Sequence, residues 1–152
     1  MLLPGLEAAG SGAPAWNPGI SGTAQAIHQE VTFAATPRRI YEVLLDATQF
    51  SKMTGGMATE ITAEMGTPFS VFGGMIRGRQ VDLVPGEQIV QAWRSQSWKP
   101  HQYSLASFVL TPEGAGTRLV FDHTGFPAGQ AEHLASGWRD HYWAPLEKYL
   151  KA

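Results

Sequence analysis

The ordered pattern begins at Ile27. In "IHQEVTFAA" the positions Ile27, Gln29, Val31 and Phe33 alternate with polar neighbours, the period of two that marks a strand. The period then changes. In "TPRRIYEVLLDATQFSKM" Ile40, Val43 and Leu44 form an apolar stripe at helical spacing, with Thr36 placed to cap the helix and Pro37 at its first position. Asp46 caps a second short helix that ends at "TGG". Beyond it the period of two returns. "MATEITAE" and "TPFSVFGG" read as short strands joined at Gly66, and "MIRGRQVDLVPGEQIVQAWRSQSW" as two longer strands hinged at Pro85-Gly86. "QYSLASFVLTPEGAGTRLVFDHTGFP" is a further pair turning through Pro112 to Gly116. From Ala128 to Leu150 the pattern is helical, opened by Gly129 and interrupted by Pro145.

Strands joined by tight turns pair antiparallel, so the order strand, two helices, six strands and a long helix predicts an α+β fold with one helix laid on a curved sheet. Residues 27–152 form one domain. Residues 1–26 hold a single charge, Glu7, and eight Gly or Pro, and are expected to be a flexible N-terminal extension. Trp16 is the residue there with the size to dock on the domain.

The last helix raises the question of a site. On a 3.6-residue helix Leu134, Trp138, Tyr142, Pro145 and Tyr149 fall within about 80° of one another, with Trp143 and Arg139 on the other side. This stripe faces the sheet, either as plain core or with Trp138 and Tyr142 lining a ligand cavity, where their polar tips would want partners. On the last strand Thr117, Leu119, Phe121 and His123 share the more apolar face. His123 is then a histidine satisfied by backbone, a polar handle for a ligand, or a base. Trp93 points inward with Ile89 and Gln91 in phase. Tyr103 is ambiguous, because both faces of "YSLASFVL" are largely apolar. The candidate cavity residues are therefore Trp93, Tyr103, Phe121, His123, Trp138 and Tyr142.

Composition narrows the partners. The chain has 152 residues, 43% hydrophobic and 16% charged, with net charge -2, which disfavours nucleic acid and acidic lipid surfaces as partners. No apolar run approaches the roughly 20 residues of a membrane span. There are no cysteines, so disulfides, thiol catalysis and Cys-ligated metal are excluded. No His-x-x-x-His pair suggests a metal, and His133 and His141 are too far apart on the helix to share one. "FGGMIRG" runs into a strand and so lacks the helix N-terminus of a phosphate loop; its glycines instead let the sheet bend. No nucleophile elbow appears, and no cofactor is expected. Arg77 and Arg79 share a strand face, with Arg94 beside them, as an anion patch or a solvated face.

The stretch "GRQVDLVPGEQIVQAWRSQSW", with its Asp-Leu-Val-Pro turn and Trp-Arg pair, resembles the helix-grip superfamily called START-like or SRPBCC. Within it the match is to the domain homologous to the activator of the ninety-kilodalton heat-shock protein ATPase. "GTRLVFDHTGFP" and "GWRDHYWAPLEKYL" are similar to that family's last strand and closing helix. The resemblance covers about residues 27–151. It implies a seven-stranded antiparallel sheet wrapped round the C-terminal helix, two short helices closing one end, and commonly a cavity between sheet and helix. In the eukaryotic co-chaperone this domain is the second of two.

Two classes of function follow. The first is a non-enzymatic domain that modulates a heat-shock protein 90-type chaperone, holds a small hydrophobic ligand, or both. The second is a small cyclase- or dehydratase-like enzyme with His123, Tyr103 and Tyr142 as acid–base groups. An interaction module that dimerises through a sheet edge or Trp143 is a third idea, although a monomer is expected. The expected location is cytoplasmic, with a processed exported form left open.

Overall fold

The computed structural model describes residues 26–151, so the expected extension and Trp16 lie outside the described residues. The elements are β1 (Ala26–Phe33), α1 (Pro37–Leu45), α2 (Ala47–Met53), β2 (Pro68–Val71), β3 (Ile76–Val84), β4 (Gln88–Ser95), β5 (Ser104–Glu113) and β6 (Gly116–Thr124). The closing helix comprises α3 (Ala131–Trp138), a π-helical turn (Arg139–Trp143) and α4 (Ala144–Lys151). The strands form one antiparallel sheet in the order β1-β6-β5-β4-β3-β2.

Local chemistry sets the element boundaries. The Thr36 hydroxyl accepts from the Arg39 N–H, and Pro37, which has no N–H to leave unpaired, opens α1. Asp46 ends α1 and, with its carboxylate accepting from the Gln49 N–H, starts α2. Along β4, β5 and β6 alternating residues are buried, and β1 and β2 add Ile27, Phe33, Phe69 and Val71 on the same inner face. The inner rows run Gln29–Phe121–Phe108–Ile89 and Ile27–His123–Ala106–Gln91 across β1, β6, β5 and β4. α1 and α2 cover the remaining end with Ile40, Val43, Leu44 and Phe50.

Among the described residues six strands form, not seven. The segment 57–64 makes one isolated bridge, in which Glu60 and Ser70 exchange both backbone hydrogen bonds. The next rung would need an N–H from residue 68 to the Thr62 carbonyl. Residue 68 is proline and has none. That carbonyl is taken instead by the Gln80 side-chain amide at 3.2 Å. On the other side the chain leaves the ladder at Phe72, whose φ of 54° is unusual for a bulky residue.

Two glycines are required by close approach, Gly116 against the Phe33 carbonyl and Gly78 on β3. A Cβ on Gly78 would lie 2.6 Å from the Phe69 ring and 1.9 Å from the Ala92 carbonyl oxygen. The Phe69 ring can lie on β3 only because Gly78 has no side chain.

The closing helix departs from the expected wheel. The Ala144 N–H bonds to the Arg139 carbonyl, five residues back, so the helix widens for one turn. Pro145 follows, with no N–H to offer the previous turn. The widening turns Trp143 inward, against the expectation that it faced away. Trp143 is buried beside Tyr142, and its ring stacks on Trp138 at 5.8 Å and 23°. Leu146 rather than Pro145 completes the buried stripe. Among the described residues no helix is long and apolar enough to cross a membrane.

Candidate functional site

Five of the six residues expected to line a cavity come together. Phe121 and Trp138 approach to 4.2 Å between ring centroids, as do Trp138 and Tyr142, while Trp93 lies 4.9 Å from the His123 ring. β4 supplies Trp93, β6 supplies Phe121 and His123, and the closing helix supplies the other two. Tyr103 does not join them. It precedes β5 in the outward phase, is 50% exposed, and lies under the Arg94 guanidinium at 5.8 Å. Its place is on the outer surface, because Ser104 takes the inward position.

His123 is 0% exposed and its hydrogen bonds define its tautomer. The Trp138 indole N–H, which can only donate, bonds to Nδ1 at 3.0 Å, so the ring proton sits on Nε2. Nε2 then donates to the Ser104 hydroxyl at 2.7 Å, and that hydroxyl donates to the Trp93 carbonyl at 2.8 Å. The chain is closed, with both ring nitrogens engaged. Burial lowers the His123 pKa to about 3, so the imidazole is neutral at ordinary pH. Burial likewise holds the Tyr142 phenol well above its ordinary range. Among the described residues one buried side-chain polar atom lacks a well-formed hydrogen bond, the Trp93 Nε1, although the Tyr142 phenol lies close by.

The aromatic centre is filled, and the larger space between sheet and helix, about 420 Å³, is an open cleft at the far end, lined by Phe33, Gly116, Glu147 and Leu150 among others. The void between α1, α2, the sheet and Tyr142, lined by Leu44, Phe50, Ile61, Ile89, Gln91 and Phe108 among others, measures about 10 Å³. That is the lower limit for a single water and far below a ligand chamber. Aromatic rings take the space: Phe50, Phe72 and Tyr142 meet edge to face at 5.5–5.7 Å. Trp143 adds to the packing and donates from its indole N–H to Gln29 at 2.6 Å. Gln29 passes its amide on to the Ala135 carbonyl, tying β1 to α3.

Sequence reasoning missed Ser104, Trp143 and the buried Gln80–Gln91 amide pair, bonded at 3.2 Å. Ser104 had a signal, since it shares phase with Ala106 and Phe108. The inward turn of Trp143 had none beyond the proline that follows it by two.

The family model described as activator of Hsp90 ATPase homolog 1-like protein matches residues 34–151. The chain belongs to the activator of Hsp90 ATPase homolog 1-like family. Among curated proteins it is similar to the human activator of 90 kDa heat shock protein ATPase homolog 1, with 27% identity over 117 residues, 77% of this chain and 34% of that protein. It thus spans about a third of the length of the curated relatives it matches. Among solved structures its fold matches an HSP90 activator from Plasmodium falciparum with a TM-score of 0.79 and 21% identity, covering 84% of this chain and 96% of that one. It also matches an Aha1 dimer from Colwellia psychrerythraea with a TM-score of 0.64 and 18% identity, covering 83% and 92%. Family membership accounts for the helix-grip order of elements.

Proposed function

We propose that this domain is non-enzymatic and modulates an Hsp90-type chaperone through its outer surface. The observation that carries the reading is the 10 Å³ void at the aromatic centre, which leaves the outer surface and its open clefts as the places a partner can engage. The names of the relatives, activators of the 90 kDa heat shock protein ATPase, supply the partner class. The mechanism is conformational. A domain that binds one state of the chaperone ten-fold better than another shifts their balance by about 1.4 kcal/mol, with no chemistry of its own.

Two features speak against acid–base catalysis at His123. Both its nitrogens are bonded within the fold, and its proton affinity is far from that of a base working near neutrality. A second reading, a small hydrophobic ligand bound inside, is favoured by one observation, the Trp93 indole N–H, which the nearby Tyr142 phenol does not meet in good hydrogen-bond geometry. A ligand with an acceptor atom would satisfy it, but only after Tyr142 or Trp138 moved aside.

The test is steady-state ATP turnover by a purified Hsp90-type chaperone, titrated with this protein. A saturable change in turnover, matched by direct binding, is expected. Neither effect at saturating concentration would overturn the chaperone reading.

A further inference from the structure

The outer face of the sheet carries a groove that neither the aromatic core nor family membership explains. It measures about 560 Å³ and is lined by Glu60, Ser70, Arg77, Arg79, Ala92 and Tyr103, among others. Register places Ser70 opposite Arg77 and Arg77 opposite Arg94, so one outward row holds two arginines directly facing each other across β3 and β4. Like charges at directly opposed positions destabilise a sheet. Among the described residues no carboxylate lies within ion-pair distance of Arg77, Arg79 or Arg94.

Each of these guanidinium groups is nonetheless held. Arg77 Nε donates to the Gly74 carbonyl at 3.2 Å, and Arg79 donates to the Gly66 carbonyl. Arg94 donates to the carbonyls of Gln102, Trp98 and Lys99, while its charge sits over the Tyr103 ring. Backbone carbonyls fix the side chains without neutralising them and leave further N–H donors on Arg77 and Arg79 open. A fixed, uncompensated guanidinium is matched by a carboxylate, which it can take in two parallel hydrogen bonds.

We infer that this groove binds an extended acidic segment of a partner protein, with carboxylates two residues apart. Arg77 and Arg79 are themselves two apart on one strand face, a separation of roughly 6.7 Å, which is also the repeat of same-side side chains on an extended peptide. Tyr103 and the neighbouring Leu105, both exposed, offer apolar contact for the residues between the acids. Glu60 at the groove wall and the net charge of -2 disfavour a continuous phosphate backbone, which needs a broader basic surface. The inference does not depend on which protein carries the segment.

The experiment is fluorescence anisotropy with a labelled octapeptide of alternating Asp and Thr, at low salt, against the full chain. Saturable binding is expected, at least about ten-fold weaker for the double variant Arg77→Gln, Arg79→Gln and lost when the peptide's Asp residues become Asn. The single variant Arg77→Gln should also bind more weakly, yet keep or raise the unfolding midpoint because it relieves the opposed charges, so weaker binding there is not lost folding. No saturation by about 1 mM protein, equal binding of the Asn peptide, or undiminished binding by the double variant would overturn the inference. Tighter binding of an oligothymidylate of equal charge would overturn it too, in favour of nucleic acid.

Discussion

Lowering the pH is expected to destabilise this domain through one buried side chain. His123 is held neutral in the fold with its pKa lowered to about 3, against 6.5 for the free side chain. The unfolded chain therefore takes up a proton that the folded one refuses. Stability is full above about pH 6.5 and falls as the pH drops from there towards about 3. At about 1.36 kcal/mol per pH unit across that window, moving from about pH 7 to about pH 4.5 removes about 2.5 kcal/mol. His28 works the other way. Although partial burial opposes it, hydrogen bonds to Asp122 and Glu30 raise its pKa overall, so its contribution is present at low pH and fades as the pH rises through its folded value. A comparison with His123→Gln cancels it, because His28 is common to both proteins. Glutamine can accept from Trp138 and donate to Ser104 but cannot titrate. Urea unfolding followed by tryptophan fluorescence should show the wild-type advantage over His123→Gln shrinking by about 2.5 kcal/mol between those pH values. Parallel pH profiles, agreeing within about 0.5 kcal/mol, would refute the buried neutral imidazole.

Other expectations follow from packing. Gly78→Ala should cost about 1–3 kcal/mol in a melting experiment, since its methyl group would meet the Phe69 ring and the Ala92 carbonyl, and a well-packed core yields little to added atoms. Trp143→Ala should cost about 3–5 kcal/mol, the range for removing a buried tryptophan. On a regular helix that residue would face away from the sheet, so a loss below about 0.5 kcal/mol would mean the π turn is not formed.

The order of elements was legible because the alternation of Ile27 to Phe33 and Thr117 to His123, the cap at Thr36 and the turn at Pro85-Gly86 all act locally. Trp93, Phe121, His123, Trp138 and Tyr142 were brought together by phase alone. What escaped depends on partners distant in the chain. The seventh strand fails for want of one N–H at Pro68, and the Thr62 carbonyl that would have taken it is satisfied from β3. Trp143 turns inward through one wide turn that a 3.6-residue wheel cannot represent. Tyr103 opens a stretch apolar on both faces, and only the inward Ser104, bonded to His123, decides its side. Whether a grip encloses a chamber depends on the summed volume of rings from four elements, which no stretch of sequence carries.

The filled interior with a working exterior is tested most directly by a proton–nitrogen NMR titration of the labelled protein, first with a lipid and metabolite mixture and then with a purified Hsp90-type chaperone. The account predicts silent indole signals for Trp93 and Trp138 throughout, and changes on outward-facing residues with the chaperone alone. Shifts concentrated on Trp93, Trp138 and His123 when small molecules are added would contradict it, and would mean that the core opens to hold a ligand.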